Sequence, residues 1–207
     1  MTTQFYAFGS ICRGEIDRSS DIDLLACVSS SNNDIDPNKF SIYRHDRLRQ
    51  LWDQGNPFAW HLHLESKLLY SSNGEDFLAL LGTPAKYTKG YVDCAQFARL
   101  FEESRAQLDR TLNSATFNLS CMFLATRNFA TCYSLRRGNP IFSRNSPLMI
   151  DRPLQIETSI FDVLSRARVL STRGVGDTLS PEDVSIAFNT SSAISDWMSS
   201  LLPEVQS

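Results

Sequence analysis

The chain of 207 residues is 42% hydrophobic and carries a formal net charge of −3. This length allows one large domain or two small ones with a substantial hydrophobic core. The acidic balance argues against a protein that coats nucleic acid along its whole surface. The sequence shows no apolar run of about eighteen residues and no charged-then-apolar leader. We therefore expect a cytoplasmic protein without a membrane span or a secretory signal.

The five cysteines are scattered through apolar stretches, and no two of them form a C-x-x-C pair. Disulfide frameworks and zinc sites usually show paired or regularly spaced cysteines. We therefore predict buried, reduced thiols.

The first part of the chain alternates strand and helix patterns. Strands are predicted, in chain order, at residues 4–8, 22–28, 40–43 and 67–70. A helix is predicted at residues 45–54, where Gly55 and the following Asn-Pro end it. Alternating strands and helices favour a mixed α/β domain.

Beyond residue 89 the pattern is helical throughout. Helices are predicted at residues 93–112, 115–135, 157–170 and 181–201. Ser180 and Pro181 are typical of the start of the last helix. Glycine and proline interrupt the pattern between residues 82 and 93. We therefore predict an α+β protein, with a small mixed-sheet domain at residues 1–88 and a helical bundle at residues 89–207.

Two carboxylates stand at the start of the second predicted strand. Asp21 and Asp23 are unusual there, because aspartate is depleted in strands and costly to bury unpaired. Residues two apart on a strand share a face, so both carboxylates can bind one Mg²⁺ together with phosphate oxygens. Gly9 and Ser10 end the preceding strand, where a missing side chain admits a phosphate and a hydroxyl can donate to it. The pattern predicts a metal and triphosphate site.

The stretch FGSICRGEIDRSSDIDLLACV resembles the signature of the polymerase-beta-type nucleotidyltransferase superfamily, G-S-x-x-R-G followed by S-D-I-D-L-L. In particular it resembles the small bacterial branch that includes the minimal and aminoglycoside nucleotidyltransferases. The matching residues are Gly9, Ser10, Arg13, Gly14, Ser20, Asp21, Ile22, Asp23, Leu24 and Leu25. Gly9 and Gly14 also have the spacing of a P-loop, but Glu15 and Ile16 replace its Lys-Ser/Thr, which excludes that motif.

The resemblance implies transfer of a nucleoside monophosphate, which we expect to be AMP, from a nucleoside triphosphate to a hydroxyl or phosphate, with release of pyrophosphate. It implies that Asp21 and Asp23 are catalytic and hold Mg²⁺ or Mn²⁺, with ATP or another nucleoside triphosphate as substrate. The nucleotide-binding residues that it implies are Gly9, Ser10, Arg13 and Ser20.

Members of the family usually have a third carboxylate on a later strand, often the base for the attacking hydroxyl. If residues 40–43 form that strand, Ser41 stands where the acid belongs, and the nearest carboxylate is Asp46. If residues 59–65 form it, Glu65 takes the role. The same stretch also fits a helix, and both interpretations stay open. We predict Glu65 as the catalytic base.

His61 and His63 alternate with Glu65, which suggests zinc. A zinc site normally takes ligands from elsewhere as well, and His45 is the one other histidine in the sequence. We therefore do not expect zinc here and regard the two histidines as candidates for substrate contact.

All eleven basic residues between positions 95 and 175 are arginines. Residues 123–144 resemble the helical domains that accompany these transferases, including HEPN-type and kanamycin-nucleotidyltransferase-like domains. HEPN ribonucleases have a histidine shortly after an arginine, and this sequence has none after His63, which excludes that activity. Arg127 interrupts an apolar helix, so we predict that it binds nucleotide phosphates. An internal hydrogen-bonding network is the alternative.

The predicted function is therefore a metal-dependent nucleotidyltransferase. Its acceptor is open between a small molecule, a protein hydroxyl and an RNA end, and the sequence is compatible with a homo-oligomer. The alternative is a catalytically degenerate nucleotide-binding regulator that acts through a partner, as in a toxin-antitoxin or defence pair.

Overall fold

The computed structural model describes residues 2–15, 22–30, 34–110 and 114–206. The chain divides into two compact units, Met1–Thr88 and Lys89–Ser207. A four-stranded mixed sheet lies in the first unit, and the described part of the second contains helices without strands. The α+β class predicted from the sequence is confirmed.

The sheet of the first unit is built around its first strand. Its strands are β1 (Thr3–Phe8), β2 (Asp23–Val28), β3 (Ser41–Arg44) and β4 (Ser66–Ser71). They lie in the order β3-β2-β1-β4, with β1 antiparallel to both β2 and β4, and with β3 parallel to β2. Each was predicted to within one or two residues, because apolar runs bounded by turn residues are typical of strands.

The helices of the first unit are α1 (Ser10–Arg13), α2 (His45–Asp53), α3 (Pro57–Glu65) and α4 (Phe77–Leu80). The strand interpretation of residues 59–65 is therefore wrong, and the helical one is confirmed. The Asn56 side chain accepts a hydrogen bond from the Phe58 amide at 2.8 Å, and Pro57 occupies the first turn. Both features favour a helix start, and they outweigh the alternating pattern of HLHLE.

One face of the sheet packs against these helices. Directly opposite residues on antiparallel strands share a face, so Tyr6 and Leu25 point to the same side. The Tyr6 hydroxyl donates to Asp76 at 2.9 Å and accepts from the Leu78 amide at 3.0 Å, which ties β1 to α4. The buried core consists of Tyr6, Phe8, Leu25, Cys27, Leu48, Leu51, Trp52, Ala59, Leu62, Phe77 and Leu78.

The cysteines are free thiols at all five positions. Cys27, Cys94 and Cys132 are buried, whereas Cys12 and Cys121 are half-buried. Burial raises the pKa of the Cys27 thiol to about 12, so this thiol is protonated and unreactive at neutral pH.

The second unit is helical. Its helices are α5 (Gly90–Arg110), α6 (Ala115–Arg136), α7 (Ser146–Met149), α8 (Thr158–Arg173) and α9 (Pro181–Leu201), followed by a 3₁₀ turn (Leu202–Val205). Helix α6 is mostly buried and contacts α5, α8 and α9. A Cβ on Gly90 would stand 2.6 Å from the Arg136 side chain, so glycine allows α5 to begin close to the end of α6. Across the described residues, no helix combines the length and hydropathy that crossing a membrane requires.

His45 is a buried polar side chain in the core of the first unit. Its Nε2 lies 2.9 Å from the Gln4 side-chain oxygen, and its ring stacks on Phe77 with the centroids 4.1 Å apart. Burial lowers the pKa of His45, repulsion from Arg49 lowers it further, and Asp46 opposes the shift. The folded protein therefore binds a proton at His45 less readily than the unfolded chain does.

We expect acidification to destabilise the first unit through this histidine. The contribution of His45 to the free energy of unfolding is complete above its ordinary pKa and is lost as the pH falls through the window below that value. Urea unfolding from about pH 7.5 to about pH 5.5 measures this, since the ordinary pKa of histidine lies between them. His45→Phe keeps the stacking and should flatten the profile, whereas His63→Gln, at an exposed position on α3, should not. Equal profiles for the wild type and His45→Phe would contradict this assignment.

Candidate active site

The end of β1 brings three of the predicted site residues of the first unit to one edge of the sheet. Phe8, its last residue, pairs with Asp23 of β2 on one side and with Ser66 of β4 on the other. Glu65 immediately precedes Ser66, and its carbonyl accepts a hydrogen bond from the Gly9 amide at 3.2 Å. Gly9, Asp23 and Glu65 therefore lie at one edge of the sheet. Neighbouring strands are about 4.8 Å apart, which places the backbones of Asp23 and Glu65 about 10 Å apart across β1.

Gly9 occupies a position that suits glycine alone. Its φ is +77°, in the region that other residues rarely adopt. A Cβ at this position would also stand 2.8 Å from the Asp23 carboxylate oxygen Oδ2. Helix α1 follows at once and begins with Ser10. The missing side chain therefore leaves open space directly beside the Asp23 carboxylate.

Asp23 begins β2 as an exposed side chain, although Leu25 and the three residues after it are buried. Asp21 and Ser20 lie outside the described residues. Within the described part of the chain, no three His, Cys, Asp or Glu side chains form a group that could hold a metal ion. The structure therefore describes one of the two aspartates predicted to bind metal, and Asp23 lies at the edge where the sequence predicted the site.

Glu65 ends α3, and its carboxylate contacts two basic side chains. Its Oε2 lies 2.9 Å from His61 Nε2 and forms an ion pair with the Arg13 guanidinium. Arg13 also lies 3.0 Å from the Glu15 carboxylate. The side chains of Glu65 and His61 are each 14% exposed and that of Arg13 is 18% exposed, so water and salt screen these contacts less than at an open surface.

These contacts determine the ionisation of Glu65. Burial raises the pKa of its carboxyl, but the hydrogen bond from His61 and the charges of His61 and Arg13 outweigh burial and lower it overall. Glu65 is therefore ionised at neutral pH, as a base must be. The same contacts stabilise the carboxylate and make it a weaker proton acceptor.

Aromatic packing holds His61 in place beside Glu65. Phe8 packs edge-on against the His61 ring, with centroids 5.6 Å apart, and against Phe58 at 5.8 Å. The sequence did not predict that His61 and Arg13 both contact Glu65. The i,i+4 spacing of His61 and Glu65 on a helix was the available signal for the first contact.

The other two candidates for the third carboxylate position lie elsewhere. Ser41 begins β3 and pairs with Leu25 on the far side of β2 from β1. Asp46 lies on α2, exposed and 2.9 Å from Arg44. Among the residues that the sequence analysis weighed for this role, Glu65 alone adjoins the Gly9 turn.

Arg127 belongs to the second unit, where it lies on α6. Its Nη2 donates a hydrogen bond to the Phe142 carbonyl at 3.0 Å, and its own carbonyl accepts one from the Ser146 hydroxyl at 3.2 Å. These bonds join α6 to the segment that leads into α7. They match the internal network that was the alternative for Arg127, and its role in nucleotide binding stays a prediction.

No protein-family model matches the chain, and a search of the curated proteins found no match. A function for this chain is therefore inferred from the residues at the Gly9 edge.

We expect Gly9→Ala to destabilise the protein more than Gly74→Ala does. Both glycines have φ near +78°, which disfavours any residue with a Cβ, and Gly9 combines it with a ψ of −139°, outside the left-handed helical region. A Cβ on Gly74 meets nothing within 4 Å, whereas a Cβ on Gly9 meets Asp23. Urea unfolding of Gly9→Ala in the wild-type and the Asp23→Ala backgrounds separates the cost of the contact with Asp23 from the cost of the backbone conformation. Equal losses in the two backgrounds would show that the space beside Asp23 is not constrained.

We expect Arg127→Gln to lower the free energy of unfolding by roughly 1–3 kcal/mol, because it removes the charged group that donates to the Phe142 carbonyl. Thermal unfolding measures this loss, and titration with ATP tests the predicted role of Arg127 in nucleotide binding. An unchanged ATP affinity would leave Arg127 with the structural role alone. A weaker affinity in a folded variant would identify it as a nucleotide ligand as well.

Proposed function

We propose that this chain is a metal-dependent nucleotidyltransferase. It transfers a nucleoside monophosphate, with AMP as the first candidate, from a nucleoside triphosphate to an acceptor hydroxyl or phosphate and releases pyrophosphate. The single observation that supports this best is the pairing of β1 with β2 and β4, which brings Gly9, Asp23 and Glu65 to one edge. The resemblance of the sequence around them to the nucleotidyltransferase signature supplies the reaction class.

The residues at this edge suit a hard divalent cation. Asp23 offers an exposed carboxylate, and the space that a Cβ on Gly9 would fill lies against one of its oxygens. Asp21, two residues earlier, is the second ligand that the sequence predicts. Carboxylate oxygens are the usual protein ligands of Mg²⁺ and Mn²⁺. When bound, such an ion supplies neutralising charge to the phosphates and to the departing pyrophosphate.

The triphosphate lies, in this proposal, at the turn between β1 and α1. Gly9 has no side chain to keep a phosphate from the backbone, and the Ser10 hydroxyl is a donor. Arg13, at the end of α1, supplies a guanidinium that matches the geometry of phosphate oxygens. Ser20 is the further nucleotide ligand expected from the sequence.

Glu65 acts as the base. It accepts the proton of the acceptor hydroxyl while the hydroxyl oxygen forms a bond to the α-phosphorus. The bond from that phosphorus to the bridging oxygen breaks, and its electron pair leaves with pyrophosphate. This role requires an oxygen of Glu65 to be open toward the acceptor.

A nucleotide-binding regulator without catalysis is the second candidate. The observation in its favour is that Glu65 contacts both Arg13 and His61. These two contacts occupy the carboxylate that would act as the base. The turn at Gly9 and the Asp23 carboxylate would still be able to bind a nucleotide. Turnover distinguishes the two candidates.

We expect the protein to release pyrophosphate from at least one nucleoside triphosphate in the presence of Mg²⁺ or Mn²⁺. A small-molecule alcohol, a protein fraction and an RNA fraction are supplied in turn as acceptors. Asp23→Asn, alone or with Asp21→Asn, should lower the rate by at least about a hundredfold, the scale on which electrostatic stabilisation acts in enzymes. A coupled assay for pyrophosphate measures this.

Asp53→Asn is the matched control, because Asp53 is an exposed aspartate at the end of α2. It should keep the wild-type rate. If no acceptor supports release while ATP binding depends on Asp23, the regulator becomes the better assignment. Equal release by the wild type and Asp23→Asn would overturn the transferase site itself.

A further inference from the structure

Arg13 is shared between two carboxylates at the candidate site. Its guanidinium contacts Glu65 and lies 3.0 Å from Glu15. The sequence signature makes Arg13 a ligand of the triphosphate, and Glu65 is the proposed base. The structure thus joins the expected phosphate ligand to the expected base by an ion pair.

The Arg13 guanidinium is not fully satisfied in this arrangement. Its Nε is buried and has no hydrogen-bond partner among the described residues. A buried donor without a partner is costly, so a site that retains one often serves a ligand. Arginine donates through several N–H groups in a rigid fork, and a phosphate can engage more of them at once than two separate carboxylates do.

We propose that Arg13 exchanges partners during the reaction, leaving Glu65 for the triphosphate and so making the base available only when substrate is bound. This inference rests on the proposed nucleotidyltransferase function. It makes Arg13 a positioning residue for Glu65 as well as a ligand of the phosphates.

The charges favour the exchange. A triphosphate carries several negative charges, whereas Glu65 carries one, so the polyphosphate is the stronger partner for the guanidinium. When Arg13 leaves, His61 still holds the Glu65 carboxylate at 2.9 Å, and Phe8 still packs against the His61 ring. The carboxylate therefore keeps its place while one of its two contacts is removed.

The exchange also selects for the length of the phosphate chain. A monophosphate carries less charge and reaches less far than a triphosphate, so it competes less well with Glu65 for Arg13. The site then keeps its base paired until a complete triphosphate is bound. The free energy of triphosphate binding should therefore be less favourable by the free energy needed to break the contact between Arg13 and Glu65.

The test measures triphosphate affinity rather than turnover alone. Inorganic triphosphate and ATP are titrated into the wild type, Glu65→Gln, Arg13→Gln and the double variant by calorimetry. Glu65→Gln removes the competing charge, so it should bind both ligands roughly tenfold more tightly, which corresponds to about 1.4 kcal/mol. The same variant should lose turnover, so affinity and rate change in opposite directions. Thermal unfolding confirms that each variant is folded, and Arg13→Met, which also lacks the charge, replaces Arg13→Gln if the latter does not fold.

The double variant separates the exchange from simple charge repulsion. If Glu65 merely repels phosphate, Glu65→Gln tightens binding equally with and without Arg13, and the exchange is overturned. If Arg13 mediates the effect, the gain disappears in the Arg13→Gln background. Asp53→Asn is the matched control, because it removes one negative charge at an exposed position at the end of α2 and should leave triphosphate affinity unchanged.

The remaining outcomes are also distinct. If the wild type binds triphosphate and Glu65→Gln binds it no more tightly, the exchange is overturned and the proposed function stands. If no folded variant binds ATP or inorganic triphosphate, the proposed function fails together with the inference that rests on it.

Discussion

The pairing of β1 with β2 and β4 is the constraint on which the candidate site depends. A slip of one residue in either pairing would turn every side chain of that strand to the opposite face. Tyr6, Phe8 and Leu25 prevent a slip, because their burial against the helices requires one register. The free energy of core burial therefore also places Asp23 and Glu65 on either side of Gly9.

Charge at this edge is the second constraint. The Glu15 and Glu65 carboxylates both contact Arg13, and their like charges repel each other. The Arg13 guanidinium offsets much of that repulsion. A cation or a phosphate chain that binds in this region must change these ion pairs. For this reason the ion pair bears on the proposed catalysis as well as on stability.

Much of the fold was predictable, because long periodic segments carry their own signal. The strands and long helices lie close to their predicted bounds, and α9 matches residues 181–201. The four-residue helices α1 and α4 are too short to show a period. In the site, the resemblance to the nucleotidyltransferase signature predicted that Gly9 and Asp23 belong together. The contact of Arg13 with Glu65 was not predicted, because it joins residues 52 positions apart through strand pairing.

The arginines of the second unit show why charge in a sequence is a weak guide to ligands. Their clustering suggested an anion site, yet several of their side chains bind groups within the unit. These contacts are Arg105 to Ser191, Arg137 to Asp151, Arg152 to Glu204, and Arg166 to Asp183. The planar guanidinium of arginine suits such contacts within a protein as well as it suits phosphate. Positive charge alone therefore does not place the proposed nucleotide site in this unit, and the glycine turn and carboxylates of the first unit remain its best-supported position.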